Sequence, residues 1–267
     1  MTSNKLHRIL YFLKYKQKAN GKYAIHSPFI YKLYTEVLLQ KINPLIFNNI
    51  EVVRKGLLKN KNTIEVNDFG TGKKNRINKK IKKITKHSTS PTNKAQILYK
   101  LVKFFNPKTI LEFGANFGIS TSYMAYANPD TEIISIEGCE NIAKIAQNNF
   151  NILELNNVRL INKDFDSFLK ENINQVETHG RASLPEFIYI DGNHAEEATL
   201  RYFQYFNEKS NENTIIIFDD IYWSKGMTKA WQKIISNPKV TISIDIYKMG
   251  IVLYKKGINK QDFILKL

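Results

Sequence analysis

Ile110-Leu111-Glu112-Phe113-Gly114-Ala115-Asn116-Phe117-Gly118-Ile119-Ser120 is the stretch that decides how this chain folds. A short apolar run breaks into a glycine turn and then into a helix-like pattern, the strand, turn and helix order of nucleotide-binding sheets. Gly114 and Gly118 let the backbone turn tightly and let a ligand approach it closely. About 20 residues on, a second apolar run, Glu132-Ile-Ile-Ser-Ile136, ends on Glu137, where a carboxylate can accept hydrogen bonds from both hydroxyls of a ribose. A glycine turn paired with an acid at the next strand end is a stronger signal than the glycines alone.

The dinucleotide fingerprint requires Gly-x-Gly-x-x-Gly. Counted from Gly114, its second and third glycine positions are Asn116 and Ile119, so it fails. The pattern that stands here, Glu112-x-Gly114-x-x-x-Gly118, resembles motif I of the class I S-adenosylmethionine (SAM) dependent methyltransferases, with Asn116 in place of a frequent middle glycine. The resemblance implies cofactor contacts from Glu112, Gly114, Gly118 and Ser120, a ribose-binding role for Glu137, and a place near the adenine amine for Asp164. Asp164 also reads as a helix N-cap, and one residue can do both.

Charge is distributed unevenly. Residues 1–107 hold 23 Lys/Arg against 4 Asp/Glu, whereas the remainder holds 17 against 20, so the net +16 belongs to the N-terminal part. Its densest run, Lys73–Lys86, carries eight positive charges and no acid. That run is a candidate phosphate-facing patch, or else a solvated helix face whose Ile77, Ile81 and Ile84 point to a core. The single Cys139 forms no internal disulfide and offers no thiolate cluster. No apolar run is long enough to span a bilayer and the first residues lack a secretory h-region, so a cytoplasmic protein is expected.

Residues 1–92 read as a helical N-terminal extension, with helices over Lys5–Lys18, Pro28–Gln40, Leu45–Leu58 and Arg76–Lys86. Within it, His26 in Tyr23-Ala-Ile-His26-Ser27-Pro28-Phe29 is either substrate-facing or a satisfied structural group. Asp68-Phe-Gly70-Thr-Gly72 imitates a ligand loop but precedes a basic stretch. Tyr11, Tyr15, Tyr23, Phe29, Tyr31 and Tyr34 are candidates for an aromatic acceptor pocket or for a core.

Residues 93–267 alternate regularly. Strands are expected at 109–113, 132–137, 158–162, 186–190, 213–219, 240–247 and 250–256, with helices ending at Phe105, starting at Gly118, and at 140–153, 165–172, 195–207 and 227–235. Alternation implies a parallel sheet covered on both faces. The turn at Tyr247-Lys248-Met249-Gly250 is too short for a crossover helix, so the last two strands are antiparallel. The expected fold is α/β: a Rossmann-like, seven-stranded, mostly parallel sheet with an antiparallel last strand, plus the helical extension.

Ligands of open α/β sheets gather at the carboxyl ends of the strands. Asp191, in Asp191-Gly-Asn-His194, and the pair Asp219-Asp220, followed by Ile221-Tyr222-Trp223, fall there. Three converging carboxylates repel one another unless a hard divalent ion such as Mg²⁺ binds them; singly, each also reads as a cap or a solvated acid. Over residues 93–256 these positions resemble the metal-dependent small-molecule O-methyltransferases, both the catechol type and the bacterial sugar-modifying type. The resemblance implies metal ligation by Asp191, Asp219 and Asp220. Two departures stand out: His194 replaces the catechol type's catalytic lysine, and Asp220 replaces its usual asparagine.

Methyl transfer from a sulfonium is an in-line displacement on carbon, so a hydroxyl oxygen must be aligned and deprotonated. Histidine titrates near neutrality, which makes His194, with Asp191, the candidate acid–base machinery. The expected protein moves a methyl from SAM to a hydroxyl of a small acceptor. An RNA acceptor held by the basic N-terminal region, or a non-catalytic SAM-fold module, are the alternatives. Acceptor identity and oligomeric state are not legible.

Overall fold

A computed structural model describes residues 2–68, 75–171 and 184–267. Along the chain run α1 (Thr2–Lys18), α2 (Pro28–Lys32), α3 (Asn48–Lys59), β1 (Thr63–Asp68), β2 (Asn75–Lys80), α4 (Ile81–Ser88) and α5 (Thr92–Phe105). Next come β3 (Thr109–Phe113), α6 (Ile119–Ala127), β4 (Glu132–Glu137), α7 (Glu140–Ile152), β5 (Val158–Asn162) and α8, at residues 165–171. The chain continues with β6 (Phe187–Ile190), α9 (Glu196–Lys209), β7 (Ile215–Asp219), α10 (Lys225–Ser236), β8 (Ile242–Asp245), β9 (Met249–Leu253) and β10 (Gln261–Ile264). The fold is α/β with a mostly parallel eight-stranded sheet and a separate two-stranded hairpin. It divides into two compact units, residues 41–183 and residues 1–40 with 184–267. No helix among the described residues is long and apolar enough to cross a membrane.

In the 41–183 unit, β3, β4 and β5 lie parallel in that order, with Glu112 opposite Ser135 and Phe113 opposite Ile136. Helix α5 stops where Asn106 takes the left-handed conformation (φ 48°) ahead of Pro107, which cannot continue a helix. Phe47 packs edge-on against Tyr99 and tilted against Tyr123 in a core that also takes Ile50, Val66, Ile84 and Phe117.

Here the structure corrects one helix. Residues expected as a single helix from Arg76 divide into strand β2 and helix α4, and β2 pairs antiparallel with β1, which the sequence reading left without a strand. The apolar spacing is ambiguous for a physical reason: Ile77 on the strand, paired with Val66, and Ile81 and Ile84 on the helix all reach the same core. The Gly70–Gly72 loop, the polar stretch from Val176 and the end of the expected 165–172 helix lie outside the described residues.

In the other unit the strand order is β10-β8-β9-β7-β6. Strand β9 runs antiparallel between β7 and β8, as the short turn requires. Strand β10, not foreseen, adds a parallel edge to β8 and makes the eighth strand. The expected 28–40 helix begins as α2, capped by the Ser27 hydroxyl with Pro28 in its first turn, and widens to π geometry over Leu33–Leu38. The N-terminal residues join the C-terminal strands through long-range bonds. Tyr15 and Tyr34 donate their hydroxyls to the Leu265 and Lys266 carbonyls (both 2.6 Å), and Asn20 bridges to Leu265.

Candidate functional site

The glycine turn of the 41–183 unit is built as a rigid cradle. After β3, Gly114 and Ala115 donate N–H bonds to the Ile136 carbonyl at the end of β4 (2.9 and 3.1 Å). Asn116 sits at φ 49°, a left-handed conformation that asparagine tolerates better than most residues, which explains how it replaces a glycine here. Its side-chain oxygen accepts from Phe117 N–H (2.8 Å) and from the Thr89 hydroxyl (3.3 Å). Gly118, at φ 80°, starts α6, and a Cβ there would lie 2.3 Å from the Phe150 ring. Conformation and space both demand glycine.

Glu112 is fully buried, and its carboxylate accepts from the hydroxyls of Ser120 (2.6 Å), Ser135 (2.5 Å) and Thr121. Glu112 and Ser120, both expected at the cofactor, are thus bonded to each other inside the core beneath the turn. Glu137, at the end of β4, accepts N–H bonds from Asn116 (2.9 Å) and Cys139 (2.8 Å), one on each oxygen. Burial pushes its pKa from 4.5 up to about 7, against the pull of the N–H groups of Cys139, Asn116 and Gly138. A carboxylate has about four lone-pair positions, so each oxygen retains capacity for a ribose hydroxyl. Asp164 follows β5 and caps α8, with Oδ1 accepting from Ser167 N–H at 2.9 Å. The capping role is realised, and it leaves the adenine role open.

The unit of residues 1–40 and 184–267 holds the other expected residues. Asp191 follows β6; one oxygen accepts from the Tyr189 hydroxyl (3.0 Å) and the other stands 3.7 Å from His194 Nε2, an ion-pair rather than a hydrogen-bond distance. Both side chains are partly exposed. The His194 ring lies 6.3 Å from the ring of Trp223, which is exposed and carries the Arg8 guanidinium 4.6 Å above it. Asp219, the last residue of β7, is buried, while Asp220 turns left-handed (φ 48°), donates its N–H to the Lys248 carbonyl and accepts from Trp223 N–H. Beneath this end, Tyr222 bonds Asp245, whose pKa burial raises against the pull of the Tyr222 and Tyr247 bonds.

Among the described residues, no three His, Cys, Asp or Glu side chains are grouped closely enough to hold a metal ion. The trio expected to share Mg²⁺, Asp191, Asp219 and Asp220, does not appear as such a group. Each acid has its own surroundings: Asp191 contacts Tyr189 and His194, Asp219 is buried, and Asp220 is left-handed.

The expected aromatic set separates as well. Tyr15 and Tyr34 are core residues, Tyr11 stacks on Tyr222, and Tyr23 and Tyr31 are exposed. Phe29 and His26 line an apolar cleft of about 690 Å³ with Ile242 and Phe263. Sequence reasoning missed Tyr189, although strand alternation puts it on the same side as Asp191. It also missed Arg8, whose distance along the chain from Trp223 leaves no local signal.

Residues 111–221 match the family Methyltransf_24, described as a methyltransferase domain. Among solved structures, the chain is similar to an O-methyltransferase from Bacillus cereus in complex with S-adenosylhomocysteine (SAH), with TM-score 0.55, 17% identity, 84% of this chain and 96% of that one covered. It is similar to the SAH-bound methyltransferase PaMTH1 of Podospora anserina (TM-score 0.55, 16% identity, 82% and 100% covered). It also resembles the O-methyltransferase TomG of Streptomyces achromogenes, in complex with SAM and involved in tomaymycin synthesis (TM-score 0.52, 14% identity, 85% and 95% covered). A search of curated proteins finds no match. Residues 111–221 thus match a methyltransferase domain, and the chain shares its fold with these methyltransferases.

Proposed function

We propose that this protein transfers a methyl group from SAM to a hydroxyl of a small acceptor. The observation that carries the reading is Glu137, held at a strand end by the N–H groups of Asn116 and Cys139 with acceptor capacity remaining on both oxygens. In this reading Gly114, Gly118 and Glu137 contact the cofactor and Asp164 lies by the adenine. Glu112 and Ser120 position the turn from below.

The reacting pair is His194 and Asp191. Nε2 of His194 is turned toward Asp191, which leaves Nδ1 for the acceptor proton. The acceptor oxygen bonds to the methyl carbon as the carbon–sulfur bond breaks; SAH leaves neutral at sulfur, and the proton passes to His194, whose new charge Asp191 stabilises. The described part of the basic run divides between β2 and α4, and no observation here favours RNA as acceptor.

The test is calorimetry with SAH, followed by a screen of phenols, catechols and sugars that monitors SAH release. SAH binding with methylation of a small hydroxylated compound is the expected result. Binding of NADH without SAH would overturn the cofactor reading.

A further inference from the structure

Helix α1 is anchored by one side and unpartnered on the other. His7 Nε2 meets the Thr228 hydroxyl at 2.9 Å, Tyr11 stacks on Tyr222, Tyr15 bonds the Leu265 carbonyl, and Tyr247 donates its hydroxyl to the Arg8 carbonyl. These contacts hold the helix down along its Tyr face. The opposite stripe consists of Leu6, Ile9, Leu10 and Leu13, with relative exposures of 60, 49, 49 and 59%. Positions i, i+3, i+4 and i+7 form one continuous apolar face, and a folded surface rarely leaves such a face in water without a use.

The charges beside it indicate what covers it. On the 3.6-residue period, Lys5 and Lys16 fall on one flank of the stripe and Lys14 on the other. The helix contains no Asp or Glu. An apolar stripe edged on both sides by lysines is the arrangement of a helix that lies in a lipid interface, its leucines among the acyl chains and its ammonium groups reaching to anionic headgroups. A second copy of this chain suits the surface poorly, because it would bring another row of lysines against the first. We propose that α1 is a membrane-surface element that docks this protein, without spanning, on bilayers bearing anionic lipid. The inference is independent of the methyl-transfer reading, since Leu6, Ile9, Leu10 and Leu13 belong to neither the cofactor turn nor the His194 pair.

The test is cosedimentation of the full chain with vesicles of phosphatidylcholine alone and of phosphatidylcholine mixed with phosphatidylglycerol. Binding is expected only to the mixed vesicles, weakening with salt. Lys5→Ala and Lys14→Ala should each weaken it roughly fivefold, as one interfacial lysine does. Leu6→Glu with Leu13→Glu should abolish it while SAH affinity and the thermal melt stay as in the parent, which separates lost docking from lost folding. Ile9→Asn supplies a milder second variant. Equal binding to neutral vesicles, or none to anionic ones, would overturn the proposal. So would a concentration-dependent dimer in ultracentrifugation that Leu13→Glu dissolves, which would assign the stripe to a second copy.

Discussion

The glycine turn and the acid-rich strand ends were read from the same kind of signal, an apolar run ending on a polar residue, yet they differ in structure. In the 41–183 unit the turn is closed by short-range bonds: Glu112 to three hydroxyls, Glu137 to two N–H groups, Asn116 to its neighbour's N–H. In the other unit the three acids sit in different local surroundings. Asp191 pairs with Tyr189 and His194, Asp219 is buried, and Asp220 takes a left-handed backbone. A motif whose partners lie on adjacent strands folds as read.

The comparison is tested hardest at His194. If it is the base, His194→Ala lowers the rate of methyl transfer by about 10²–10⁴-fold, the usual contribution of a positioned base, with SAH affinity unchanged in calorimetry. Loss of both together would show that the two regions do not divide the work as proposed. Next in size is Glu112→Ala, which strips the shared acceptor from Ser120, Thr121 and Ser135. At about 1–3 kcal/mol per buried group left unsatisfied, denaturant melts should show a loss of roughly 3 kcal/mol or more. A near-neutral result would mean that the hydroxyls find other partners.

Glu137→Ala should weaken SAH by about 1–3 kcal/mol, the cost of unmade ribose bonds. Its titration makes a finer test. With its pKa raised from 4.5 to about 7, the group is protonated in the folded protein at pH values where the unfolded chain has lost the proton. SAH affinity should therefore weaken as pH falls below about 7, because a protonated carboxyl offers one acceptor fewer. The stability of the ligand-free protein should instead decline as pH rises from 4.5 towards about 7. Glu137→Gln should flatten both trends, measured by calorimetry and thermal melts across pH.

The smallest expected effect is that of chelation. EDTA should leave SAH affinity unaltered and, if His194 with Asp191 suffices, leave turnover unaltered too. Abolished turnover restored by Mg²⁺ would show that Asp191, Asp219 and Asp220 gather around an ion on binding it.

The parallel sheet, its antiparallel return at Tyr247 and the glycine turn were legible in the sequence because each rests on local rules. Strand and helix periods differ, glycine or asparagine marks left-handed backbone, and a short turn cannot hold a crossover. Hairpin β1–β2 was not legible, since Ile77, Ile81 and Ile84 keep helical spacing while reaching one core from a strand and a helix. Nor was β10, a four-residue strand that exists only because β8 offers it an edge. By itself the sequence determined which residues stand at the strand ends and which backbone turns they require. Only the tertiary structure decided that Arg8 lies over Trp223 and that Tyr15 and Tyr34 bond the C-terminal backbone. Those outcomes depend on contacts between segments far apart in the chain, which no local periodicity encodes.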